Sequence, residues 1–275
     1  MLASEISLLA EAAEAEFMYH YESSAPPATK HELGIATARI GGGVALSMRH
    51  DVTGYWSKAL GFGVTEPVTA ELVDDLVAFY VAQKAPGAVI QIAPALLPHD
   101  WPEIARRRDL TPTSPWIKLF GEIEHVQTSH TTDLAVRPVD PVDFPRWAAT
   151  TLRGFGMPTV GLADMLAEAL THPGFRPFAA WDGDDMVATA NLFLHGSVGS
   201  LNSTATLETH RSRGGRRRGL PLALGRSRPA RRRGGQPVVE QPPPKRSATA
   251  LRTAELGVVT QLIAGASRGT WPHVR

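Results

Sequence analysis

Within this chain of 275 residues, the stretch with the clearest chemical potential is SVGSLNSTATLETHRSRGG, from Ser197 to Gly215. Its first half reads as a β-strand, Val198 to Leu207, and its end gathers Arg211, Arg213, Gly214 and Gly215 into one short loop. Glycines let a backbone close tightly around a ligand. Bare main-chain N–H groups at the start of a helix favour negative charge, and arginine forks match phosphate oxygens. The chemistry on offer is capture of a pyrophosphate, and a side chain at Gly214 would obstruct its approach. A solvated turn at a strand end uses the same residue types, so the loop by itself leaves both readings open.

The run Leu207-Glu-Thr-His-Arg-Ser-Arg-Gly-Gly resembles the acetyl-CoA loop of the GNAT superfamily of N-acetyltransferases, in which (Arg or Gln)-x-x-Gly-x-(Gly or Ala) follows a central strand. Arg211 and Gly214 match that pattern, whereas Arg216 stands where the family has Gly or Ala. The resemblance implies that acetyl-CoA is the acyl donor, held by Arg211, Ser212, Arg213, Gly214 and Gly215. It also implies that Ala205, Thr206 and Leu207 pair with the pantetheine arm. Transfer would be direct to an amine of a small molecule, a peptide or a protein terminus, with positioning and oxyanion stabilisation doing most of the catalysis. Glu208 and His210 lie nearest in sequence, but they read as loop residues, so no catalytic acid or base is assigned.

The elements that must position this loop begin at Asp133. A strand to Arg137 is closed by Pro138, and Asp140-Pro141 start a helix carrying Phe144, Trp147 and Leu152. A second helix, Leu162 to Leu170, has Leu162, Met165, Leu166 and Leu170 on one stripe. Strands follow at Phe175–Trp181 and Met186–Phe193 around an Asp182-Gly183 turn, and the third strand leads into the loop. Strand, two helices and an antiparallel meander resemble the first two-thirds of one acetyltransferase domain.

The first half of the chain mixes helices and strands without a compelling chemical motif. The apolar spacing predicts a helix over Ser4–Tyr21, then a break at Pro26-Pro27, and strands at Gly34–Ile40 and Val44–Met48 around Gly41-Gly42-Gly43. A helix introduced by Thr65, Pro67 and Thr69 carries Leu72, Leu76, Phe79 and Tyr80 on one face. A buried strand at Ala88–Ile92, a short helix from Asp100 through Arg108 and a strand at Trp116–Phe120 complete it. His31-Glu32 and His50-Asp51 are the nearest approach to acid/base pairs, but adjacent residues usually point apart. Arg106-Arg107-Arg108 suits a solvated helix end.

The expected fold class is therefore mixed α/β (α+β): mainly antiparallel sheet with flanking helices, acyl-CoA N-acyltransferase-like, in two tandem lobes. Residues 1–125 form the first lobe, which resembles a degenerate copy of the same fold only by analogy. Residues 133–215 form the acetyltransferase-like domain, and 216–275 a basic, poorly ordered tail. The absence of cysteine excludes disulfides, thiolate metal sites and a cysteine nucleophile. Apolar runs fall short of the ~18 residues that span a bilayer, and a cytoplasmic protein is expected. Periodicity leaves the oligomeric state open.

Charge divides the chain sharply. Residues 1–210 hold 13 Lys plus Arg against 25 Asp plus Glu, and residues 211–275 hold 15 against 2. The family pattern requires a helix after Gly215, yet prolines at 221, 229, 237 and 242–244 interrupt any regular element, and only Thr249–Leu262 regains an apolar rhythm. Three readings are open: an arm for nucleic acid, which is the alternative function; a solvated tail; or a coding frame that slips near codon 215 of a GC-rich gene. The abrupt change inside a motif that needs its helix favours the last. Against specific recognition of single strands, Trp271 is the sole aromatic residue of the tail.

Overall fold

A computed structural model describes residues 3–113, 116–122, 132–211 and 257–261. The first helix, α1 (Ala3–Ser23), is the centre of the molecule. Its apolar positions are spread around the axis, and a helix of that kind is stable only when covered on several sides. It packs against strands of both sheets, and Ala13, Phe17, Met18 and Tyr21 are all buried.

The break at Pro26-Pro27 separates α1 from a second helix that is not expected from the sequence. Pro27 opens a short helix, α2 (Pro27–Leu33), where a missing N–H costs nothing, and Gly34 closes it in the left-handed conformation. The hairpin β1 (Ile35–Ile40) and β2 (Gly43–Met48) turns on Gly41-Gly42, both at positive φ, as a two-residue turn between twisted strands requires. Strand β3 (Lys58–Leu60) pairs with β2, and β4 (Val89–Ile90) runs parallel to β3. The crossover between them carries α3 (Ala70–Gln83), whose first turn is capped by the Thr69 hydroxyl accepting from Leu72 N at 3.2 Å. The expected strand at Ala88–Ile92 is shortened to two paired residues. A further helix, α4 (Trp101–Arg107), follows Asp100, whose side chain makes no capping bond.

The second sheet has six strands in the order β5-β10-β9-β8-β7-β6. These are β5 (Lys118–Glu122), β6 (Ala135–Pro138), β7 (Phe175–Asp182), β8 (Asp185–His195), β9 (Val198–Thr206) and β10 (Gly257–Gln261). Strands β6 to β9 pair antiparallel, while β10 runs parallel to β9 and antiparallel to β5. Helices α5 (Phe144–Phe155) and α6 (Leu162–Ala169) lie between β6 and β7 in the chain. The fold class is mixed α/β with mainly antiparallel sheets and flanking helices, as the periodicities require.

One apolar core runs through both halves. Phe17, Met18, Tyr21, Leu46 and Leu60 pack in the same cluster as Trp147, Leu152, Leu166, Phe175 and Phe193. Two further elements cross the expected lobe limits: β5 comes from the first 125 residues, and β10 from within Thr249–Leu262 of the basic segment.

Candidate active site

The middle of β9 is polar where a buried strand should be apolar. Along β8 and β9 the register runs Ala188↔Thr206 and Thr189↔Ala205, then resumes at Asn191↔Asn202, so Ser203 and Thr204 together oppose Ala190 alone. This is a β-bulge, which leaves its extra residue outside the ladder and kinks the strand. Ser203 takes a φ of 51°, a left-handed conformation costing a non-glycine residue on the order of 1 kcal/mol.

Hydrogen bonds from α1, from β8 and from α5 hold the bulge. On the α1 side the Tyr21 hydroxyl donates to Asn202 Oδ1 at 3.0 Å and lies 2.7 Å from Ser203 Oγ. Asn191 Nδ2 donates to the same Asn202 oxygen at 3.0 Å, and Asn191 Oδ1 accepts from Arg176 N at 3.1 Å. On the α5 side Thr151 Oγ1 donates to Thr189 Oγ1 at 2.8 Å, and Thr189 Oγ1 reaches the Ser203 carbonyl at 3.4 Å. Tyr21, Thr151, Thr189, Asn191 and Asn202 are all buried.

After the bulge, α5 presses directly on the strand. At Gly154 a β-carbon would stand 2.7 Å from the Ala205 methyl, so only glycine permits this approach. Leu207 N donates to Val187 O at 2.9 Å, which turns that amide toward β8. Strand alternation then turns the Thr206 peptide toward the opposite edge. Along that edge the ladder to β10 covers Val198 to Leu201. The stretch after Leu201 has no strand partner there among the described residues.

A single helical turn, Glu208–His210, brings Arg211 back over the strand end. Its guanidinium donates to Thr206 O at 3.2 Å and to Gly154 O at 2.8 Å. Arg211 therefore ties the strand end to the last turn of α5. His210 lies 3.4 Å from the Asp182 carboxylate, and Asp185 and Glu208 stand at the same end of the sheet. Of the site expected from sequence, Ala205, Thr206, Leu207 and Arg211 are brought together at this corner. Ser212, Arg213, Gly214 and Gly215 lie outside the described residues, as do Arg216 and most of the basic segment.

The acid/base pairs noted in sequence are occupied elsewhere. Asp51 accepts from Thr53 N, Thr53 Oγ1 and Trp56 N in a local turn, and His50 Nδ1 lies 2.6 Å from Glu32 O. Arg106 and Arg107 pair with Glu103, and Arg108 with Asp74. Among the described residues no group of three or more His, Cys, Asp or Glu could hold a metal ion, and no helix is long and apolar enough to cross a membrane.

Three glutamates of α1 are buried, which its sequence did not advertise. Glu11 and Glu14 share Lys118, the latter at 2.7 Å, and Gln91 donates to Glu14 at 2.6 Å. Burial, opposed by Lys118, raises the Glu11 carboxyl above its usual range. Glu22 is fully buried without a hydrogen-bond partner among the described residues, and burial, reinforced by Asp51, pushes it well up. Lys58 Nζ sits over the rings of Tyr55 at 3.5 Å and Trp116 at 4.2 Å. Burial lowers its ammonium to about 8. A separate pocket of about 160 Å³ opens at the far end of β8, between Glu16, Gly42, Gly43, Gly61, Thr65 and His195.

No family model and no curated protein matches this chain. Among solved structures, it is similar to a GCN5-related N-acetyltransferase from Kribbella flavida at 13% identity and a TM-score of 0.45, over 71% of this chain and 75% of that one. The solved structures similar to it include N-acetyltransferases. A predicted acetyltransferase with acetyl-CoA from Clostridium acetobutylicum is 16% identical with a TM-score of 0.25, over 30% of this chain and 64% of that one. An acetyltransferase from Thermus thermophilus is 24% identical with a TM-score of 0.25, over 31% and 63% respectively. The match thus spans less than two thirds of the length of each of these last two.

Proposed function

We propose that the chain is an acyl-CoA-dependent N-acetyltransferase that transfers an acetyl group from acetyl-CoA to an amine. One observation carries this reading: a buried, polar-braced bulge on β9 lies just ahead of a strand end with an open edge, and that end leads into the Arg/Gly run. The corner fits an extended amide-bearing arm, because the Thr206 peptide faces that edge and an added strand is bound through such groups. Gly154 and Arg211 hold the strand end and α5 together, so the edge is rigid.

Bound acetyl-CoA supplies a thioester that an amine can attack. The bulge backbone orients the acyl carbonyl and offers amide donors where negative charge develops. Ser212, Arg213, Gly214 and Gly215 receive the pyrophosphate in this reading, offsetting the acidic side chains at that end of the sheet. In this reading residues 133–215 form the catalytic lobe, residues 1–125 buttress it through α1, and the acceptor amine is left open.

The test is a thermal melt of the full chain with and without saturating acetyl-CoA, at low and moderate salt. A salt-tolerant rise is expected, equivalent to about 2.7 kcal/mol at a hundredfold excess over Kd. No rise with acetyl-CoA overturns the proposal. Nucleic-acid binding that collapses with salt while CoA has no effect would favour a role for the basic segment instead.

A further inference from the structure

We propose that Tyr21, on the first helix of the chain, is a positioning residue of the acyl site: its hydroxyl fixes the β9 bulge against which the acetyl group is held. This rests on the acetyltransferase reading above.

The bulge is a strained feature that needs outside support. A serine at φ 51° persists only when its surroundings over-determine it. The supports on the α5 side, Thr151 and Thr189, and the asparagine pair, Asn191 and Asn202, all belong to the second sheet and its helix. Tyr21 is the one contact among these that comes from the first 125 residues, reaching Ser203 across 182 positions of sequence.

Its ring is fixed before the hydroxyl acts. Phe17 meets it edge-on at 5.9 Å, Phe175 is tilted against it at 5.0 Å, and Trp56 stands perpendicular at 6.5 Å. In that apolar setting burial drives the phenol's pKa upward, so around neutral pH the hydroxyl keeps its proton and can donate. A fixed ring with a protonated hydroxyl locks Asn202 Oδ1 and Ser203 Oγ, and through them the peptide groups on either side of the bulge. Displacing such groups by a fraction of an ångström changes alignment with a reacting carbonyl far more than it changes stability.

Tyr21→Phe removes the oxygen and keeps the ring. Titration calorimetry with acetyl-CoA and with CoA separates the acetyl group's contribution from that of the rest of the molecule. The wild-type chain is expected to bind acetyl-CoA more tightly than CoA. Tyr21→Phe is expected to bind CoA within twofold of wild type and to lose most of the acetyl preference. Ser203→Ala, which deletes the same contact from the strand side, should behave alike, and Tyr55→Phe should leave the preference intact. In turnover of acetyl-CoA with an amine panel, kcat should fall about tenfold while KM for acetyl-CoA holds.

A wild-type chain that binds both molecules equally, or variants that keep the full acetyl preference, would overturn the assignment while leaving the CoA site standing. A wild-type chain that binds neither molecule would overturn the acetyltransferase reading itself, and this assignment with it.

Discussion

His20 lies over His172 with ring centroids 3.8 Å apart and planes inclined by 27°. The contact joins α1 to the turn that precedes β7. Burial first, then the neighbouring His172, holds the His20 imidazole below its ordinary 6.5; Glu16 opposes this, and Arg39 and His195 add to it. The unfolded chain therefore takes up a proton that the folded chain refuses. The stability that this group contributes is complete above pH 6.5 and is lost as the pH falls below it. Glu11 and Glu22, raised in the fold, act in the opposite sense, so the expected signature is a difference. His20→Phe, which keeps a ring on His172, should show a shallower loss of Tm between pH 6.5 and 5 than wild type.

Arg211 presents two N–H groups to two carbonyls on different elements. Arg211→Ala should lower unfolding free energy by about 2 kcal/mol in urea titration, since hydrogen bonds from charged donors are worth more than neutral ones. Arg211→Lys should recover little of it, because an ammonium lacks the planar fork. Both variants are expected to weaken acetyl-CoA binding by loosening the strand end.

Gly154→Ala would set a methyl 2.7 Å from Ala205 Cβ and 3.2 Å from Thr206 N. Overpacking of this kind costs about 1–3 kcal/mol. The expected result is a lower Tm together with weakened acetyl-CoA binding, and partial recovery of both in Gly154→Ala/Ala205→Gly. A double-mutant cycle by thermal melting measures that coupling.

Lys58 carries a charge that burial disfavours. A lysine held at about 8 instead of 10.5 costs about 3 kcal/mol at pH 7, where it is protonated both folded and unfolded. Because its pKa is depressed by folding, this cost shrinks as pH rises from about 8 to 10.5. Lys58→Met should therefore compare more favourably with wild type at pH 7 than at pH 9. An equal effect at both pH values would show that the ammonium is not desolvated as described.

What the sequence revealed and what it hid follow from the range of the interactions. The helices from Thr69 and Asp140, the meander from Phe175 to Thr206 and its turns were legible because periodicity and turn residues act locally. The fold class followed from that local order, whereas Ala205, Thr206, Leu207 and Arg211 were singled out by the resemblance of their run to a cofactor loop. The bulge was not legible: Asn202 and Ser203 are polar, but their meaning depends on Tyr21, which is 181 residues from Asn202. The burial of Glu11, Glu14 and Glu22 was hidden likewise, because Lys118, which pairs with the first two, comes from a distant strand. The break at Pro26-Pro27 was legible, but the short helix from Pro27 to Leu33 was not, because a proline that ends one helix equally suits the first position of the next.

Strand β10 lies between β5 and β9, with Gln261 opposite Lys118 and Gly257 opposite Val198. During synthesis, β5 and β9 are complete long before the strand that separates them exists. Each then presents a row of bare peptide groups across a gap one strand wide, the kind of edge that recruits strands from other molecules. A nascent chain stalled before Gly257 would thus carry two adhesive edges at once. Its fate, chaperone capture or aggregation, would be decided by how quickly β10 arrives.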